Sequence, residues 1–237
     1  PDMGATTCTL SQAIAAANLA NGVTPDSVGS ATTAVGFDPS GFLNPGANKL
    51  GNCTGATPGA NSIVFAPALA GATLTYTTVD FSTTPWNSGS GTTNGMAAGR
   101  ALDQNNLADN YWYGLNALPP IASTISIDGG SAGITLEIAL APLASPPPVS
   151  HPRLRFFYVS GGLTSPIPAG SLSLQNMTLT GGRAWGGLGG GGGAGMGGAI
   201  FNQGTLNLSA VTFTANSAIG GKASSFLSGG GMADRPD

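Results

Sequence analysis

Residues able to do acid–base or metal chemistry are few here: one glutamate, nine aspartates, one histidine and two cysteines among 237 residues. A glycosidase needs two carboxylates facing each other across the scissile bond. Within the rhythmic region that begins at Ile121, only Asp128 and Glu137 precede the acids of the tail. Asp128 stands in an Asp-Gly-Gly sequence, where a turn role accounts for it, and strand alternation points Glu137 outward. A lyase would add an acidic cluster for calcium and a basic proton acceptor. No such cluster is visible, and the Gly-Gly-x-Gly-x-Asp calcium repeat is absent. His151 lies among prolines 146–148 and 152, in a loop, and nothing beside it supports a Ser-His-Asp triad. Two cysteines and one histidine do not make a zinc site. The Gly-x-Gly-x-x-Gly matches within residues 186–198 have no dinucleotide-binding strand before them and no helix after them. The expectation is therefore a non-enzymatic protein with no catalytic residue, metal or cofactor.

Other residues are suited to binding. Tyr111, Trp112 and Tyr113 are consecutive, and an exposed cluster of this kind is a candidate contact for carbohydrate or a protein partner. The alternative is that the cluster folds back over an apolar edge. Thr-x-Thr pairs at Thr73–Thr75, Thr178–Thr180 and Thr212–Thr214 suit an outward ladder. Flat threonine arrays bind ice or carbohydrate, but threonine is also ordinary strand surface and an array of this size is small. The seven basic residues are scattered. The closest pair, Arg153 and Arg155, reads as a solvated strand face, and a net charge of −3 leaves no electrostatic footprint for nucleic acid.

The elements that must position these residues are short. Thr9 to Asn18, "TLSQAIAAAN", opens with a Thr-x-x-Gln capping box, and Leu10, Ala13, Ile14 and Ala17 recur at helical spacing. Asn21-Gly22 is a stop. Residues 22–60 are turn-rich. "SIVFAPAL" (62–69) and "ATLTYTTVDF" (72–81) read as strands, and 82–120 as an inserted loop. From Ile121 onward strands are expected at 123–129, 133–140, 154–161, 171–182, 198–204 and 205–216. "SLSLQNMTLTGG" and "TLNLSAVTFTAN" are internal repeats offset by 34 residues: Leu172, Leu174, Met177 and Leu179 match Leu206, Leu208, Val211 and Phe213. The pattern within each copy describes two short strands with a bend between them.

Only 7% of residues are charged, while Gly (39) and Pro (17) are abundant, so backbone pairing rather than surface charge must organise the chain. Short strands, bends and a repeat of a few tens of residues suggest a solenoid. The expected fold is all-β: a right-handed parallel β-helix over residues 1–237 as one domain, with a short N-terminal capping helix and long Gly/Pro-rich loops. Its parts are an N-terminal cap and pinned loop (1–60), first strands with an inserted loop (61–120), and coils (121–237) carrying a glycine-rich corner loop at 186–198. Cys8 and Cys53 sit in turn-like sequence, which suits a bridge better than a core, with two free buried thiols as the alternative. A bridge would close a loop of about 45 residues and contribute roughly 4 kcal/mol. No stretch reaches the ~20 apolar residues that a spanning helix needs.

Three stretches carry a family resemblance: "CTLSQAIAAAN" (8–18), "GNCTGATPGANSIVFAPALAGATLT" (51–75), and the region from "STISIDGGSAGITLE" through "GGAIFNQGTLNLSAVTFTANSAIGGKA". They resemble secreted bacterial repeat proteins of the CSLREA-type and polymorphic-outer-membrane-protein-like parallel β-helix kind. Ser11 and Gln12 stand where that family has arginine and an acidic residue, and Asn61 where it has aspartate. The resemblance implies a secreted or surface protein, a Cys8–Cys53 bridge, and a helix at Thr9–Asn18 that caps the fold. It implies no ligand. The expected function is an extracellular or cell-surface structural or adhesive protein. It would act through sheet edges and loops on protein partners, or by head-to-tail self-association at an open C-terminal edge. The alternative is a carbohydrate-binding or carbohydrate-cleaving protein. The expected location is extracellular or the bacterial surface, with a signal peptide already removed.

Overall fold

The structure, a computed structural model, describes residues 8–23, 53, 55–76, 116–139, 154–162, 168–186 and 193–221. Helix α1 spans Leu10–Ala20. The capping box forms in both directions: Gln12 N donates to Thr9 Oγ1 at 3.2 Å and Thr9 N donates to Gln12 Oε1 at 3.0 Å. Two otherwise orphaned backbone donors are thereby satisfied. Leu10, Ile14 and Ala17 enter the main core, while Ala15 and Ala16 pack on Cys53 in a smaller cluster. Both sides of the helix are thus covered. Cys8 and Cys53 form a disulfide that ties the helix start to the segment leading into the first strand, with Cα atoms 4.7 Å apart.

Ten strands follow among the described residues: β1 (Asn61–Val64), β2 (Thr73–Tyr76), β3 (Thr124–Asp128), β4 (Ile134–Ile138), β5 (Phe157–Val159), β6 (Ser171–Thr180), β7 (Arg183–Trp185), β8 (Ile200–Asn202), β9 (Thr205–Thr214) and β10 (Ser217–Ile219). Every strand pair is parallel. β6 organises the main sheet. Its first half pairs with β3, its second half with β4, and β9 pairs along its whole length. β1 and β2 lie outside β3 and β4. The remaining strands form two separate pairs, β5–β8 and β7–β10.

The strands bend where the internal repeat leaves two residues between its apolar pairs. Asn176 in β6 and Ala210 in β9 have φ of 54° and 51°, the left-handed region. Asn176 tolerates that conformation and is held there, its Nδ2 donating to Asp128 Oδ1 at 2.9 Å. Ile125, Ile127, Ile134, Leu136, Leu172, Leu174, Met177 and Leu179 alternate into one core with Ile14, Leu118, Phe156 and Phe157.

The expected fold class needs correction. The strands form a curled half-barrel sheet with one helix, and the described residues show no right-handed β-helix or other solenoid. The repeat at 34 residues is real, but it supplies one parallel strand pair, β6 on β9. Any parallel sheet can hold such a pair, whereas a solenoid rests on three or more stacked repeats. The short strands β7 and β10 were not apparent from sequence, because three residues carry no readable period.

A second correction concerns Arg155. It does not lie on a solvated strand face: it is 1% exposed, with its guanidinium 5.2 Å from the centre of the Phe201 ring. Its planar, weakly hydrated cation is suited to stacking on an aromatic ring. Arg153 lies outside the described residues.

The glycine run is partly accounted for by close backbone approach. A Cβ at Gly198 would stand 2.5 Å from the Ser217 carbonyl oxygen, and one at Gly195 would overlap the Ile219 carbonyl. At these two positions the chain passes against β10 at a distance that leaves no room for a side chain.

Candidate functional site

Two surfaces emerge from this arrangement. The first is the outer edge of β9. The strand pairs with β6 on one side, and among the described residues no strand pairs with its other side. Its apolar positions stand in register with buried ones: Leu206 on Leu172, Leu208 on Leu174, Val211 on Met177, Phe213 on Leu179. Leu174 is 1% exposed and Leu179 is fully buried, yet Leu208 is 45% and Phe213 46% exposed. Ile219 on neighbouring β10 is exposed as well. An edge of this kind presents unpaired backbone groups beside uncovered apolar side chains.

The second surface is the outward face of the main sheet. The register lines up Thr73, Thr135, Thr178 and Thr212 in one column across four strands. A parallel column holds Thr75, Glu137, Thr180 and Thr214. Beyond the bend, Ser62, Ser126, Ser173 and Asn207 form a third. Hydrogen bonds run along these columns: Thr75 Oγ1 donates to Glu137 Oε2 at 3.3 Å, Ser62 and Ser126 hydroxyls meet at 3.3 Å, and Asn207 Nδ2 donates to Ser173 Oγ at 3.4 Å. A shallow groove of about 270 Å³ follows the bend, lined by Ser131, Thr135, Asn176, Thr178 and Thr212 among others.

The expected Thr-x-Thr pairs do share one ladder, and the structure adds Thr135 and Glu137 as a rung that sequence reading left out. Asp128 accepts from Gly130 N at 2.8 Å and from Asn176 Nδ2, so it shapes a turn. Glu137 is half-buried on the outward side of β4. Tyr111, Trp112, Tyr113 and His151 lie outside the described residues. Among the described residues no group of three or more His, Cys, Asp or Glu could hold a metal, and no helix is long and apolar enough to cross a membrane.

Two further clusters escaped the sequence reading. Asn18, buried at the end of α1, donates to Pro120 O at 2.8 Å and accepts from Ser123 Oγ at 2.9 Å and Ala122 N at 3.3 Å. It joins the helix to the chain entering β3. Around Arg155, Tyr158 stacks on Phe201 with ring centres 5.7 Å apart and donates its hydroxyl to Gln203 Oε1 at 3.0 Å. Burial pushes the Tyr158 phenol above its ordinary value, partly offset by a hydrogen bond with Ser160. The unbroken apolar company of Arg155, with Leu154 before it and Phe156-Phe157 after it, was the available signal for its burial.

Comparisons with protein-family models, curated proteins and solved structures find no match, so none of them identifies a CSLREA-type or polymorphic-outer-membrane-protein-like family.

Proposed function

We propose that this chain is a non-enzymatic structural or adhesive protein of the extracellular or bacterial-surface kind, working through its open sheet edge. The carrying observation is the outer side of β9: no strand among the described residues pairs with it, and Leu208 and Phe213 stay half-exposed while their register partners in β6 are buried. Edge strands ordinarily carry charge or proline to discourage pairing. β9, "TLNLSAVTFT", carries neither.

The occupant of that edge is a second copy of the chain. At the opposite side of the sheet, β1 and β2 meet β3 and β4 in the same two-part register in which β3 and β4 meet β6. The outer strands β1 and β2 thus offer β9 of another copy the spacing that β3 and β4 offer β6, with Ile63 and Leu74 in phase with Leu208 and Phe213. Such a contact joins unlike surfaces, so it extends into a chain of copies. The disulfide supports a non-reducing setting for this role.

Electron microscopy and sedimentation of the native protein test the reading. Fibres or concentration-dependent oligomers, lost in Leu208→Lys with the circular dichroism spectrum unchanged, are expected. Discrete monomers at every concentration would sink it, as would assembly indifferent to Leu208→Lys.

A further inference from the structure

We propose that the outward hydroxyl face of the sheet is a binding surface for a neutral polysaccharide, a function separate from assembly at the β9 edge. A protein surface ordinarily carries about 25–35% charged residues, which help keep it soluble. Here the column Thr73–Thr135–Thr178–Thr212 is threonine on all four strands. Across the bend, Thr124, Ser171 and Thr205 stand in one further register line, beside the serine column. Of the outward positions in these four columns, only Glu137 and Asn207 lack a hydroxyl, and both are polar.

The register makes the hydroxyls a lattice. Neighbouring strands lie about 4.8 Å apart and alternate residues about 6.6 Å apart along a strand. Each hydroxyl both donates and accepts, as a sugar hydroxyl does. The surface can therefore match a polyhydroxylated chain without fixing a sign of charge. The bend adds shape. The groove of about 270 Å³ along Asn176 runs beside Thr135, Thr178 and Thr212, giving a chain a concave seat.

The same features weigh against other occupants. The charged side chains of this face are Glu137 and, in the adjoining line Val64–Asp128–Gln175–Ser209, Asp128; both are carboxylates that already accept hydrogen bonds, so nothing there would neutralise an anionic polymer. The left-handed residues Asn176 and Ala210 crease the face, whereas an ice plane needs it flat. Protein hot spots centre on aromatic and arginine anchors, and these columns contain neither.

The experiment is retention of the native protein on insoluble cellulose and chitin, with polygalacturonate as the anionic control. Thermal hysteresis in freezing solution is measured on the same sample. Retention on a neutral polysaccharide, unaffected by about 1 M salt, is expected, because exposed charge pairs would be screened there. The double variant Thr178→Val/Thr212→Val keeps side-chain shape and strand preference while removing two hydroxyls. It should lower retention about tenfold, with thermal stability unchanged. The proposal is overturned by no retention on any neutral polysaccharide, by retention that salt abolishes or that polygalacturonate alone shows, or by full retention in the double variant. Thermal hysteresis without polysaccharide retention would reassign the face to ice.

Discussion

β6 and β9 are nearly the same strand twice. They share length, direction, apolar spacing and a left-handed residue at the bend, and they pair with each other in register on both sides of that bend. Yet β6 lies between neighbours on both sides and buries its apolar row, while among the described residues β9 has a neighbour on one side and leaves Leu208 and Phe213 half-exposed. Alternation decides which way a side chain points. Only the next strand decides whether it is buried.

This contrast can be broken most directly by matched truncations. Leu174→Ala is expected to cost about 3 kcal/mol, and Leu208→Ala about 1 kcal/mol or less, because a half-exposed leucine leaves little cavity behind. Equal costs in denaturant unfolding would mean that β9 is covered in solution. The helix end offers a covered counterpart. Asn18→Ala removes a buried side chain with three partners and should cost about 2 kcal/mol, since its partners lose their hydrogen bonds within the core. A smaller loss would show that water reaches this end as it reaches β9.

The bends sharpen the comparison further. Asn176 suits the left-handed conformation and bonds Asp128, whereas Ala210 has no such support. Asn176→Ala should destabilise, and Ala210→Gly should stabilise by up to about 1 kcal/mol, because glycine adopts positive φ without penalty. Thermal melts of the two variants should shift in opposite directions.

The smallest effect is expected from pH. Burial raises the phenols of both Tyr76 and Tyr158. Well below pH 10 these groups are protonated in folded and unfolded chains alike, so they add no slope. Above about pH 10 the unfolded chain releases protons that the folded one retains, and stability falls. Tyr76→Phe should flatten that alkaline fall, as read by denaturant titrations across pH 8 to 11. An unchanged slope would mean that the Tyr76 phenol is solvated.

Local chemistry was legible in the residue string. The Thr9–Gln12 capping box places α1, and the spacing of Leu172, Leu174, Met177 and Leu179 places both β6 and its bend. The turn context of the cysteines agrees with the bridge they form. These depend on neighbours within a few residues, or on torsions that particular side chains favour. The function classes are another matter: charge and motif content make catalysis an unattractive expectation, and both the edge and the hydroxyl face await their experiments.

By itself, the sequence determined where the helix and the longer strands lie, which residues of β6 and β9 share a side, and that these two segments repeat in phase; it left β7 and β10 unread. The tertiary structure alone decided that these strands make a curled half-barrel rather than the expected solenoid. It also decided that Arg155 is buried on Phe201, that Thr135 and Glu137 complete the threonine ladder, and that glycines 195 and 198 lie against β10. The physical reason is common to all of these. Periodicity is a property of one strand, but burial, stacking and columns across strands belong to pairs of segments far apart in the chain. Which segments meet is set by the closure of the whole core.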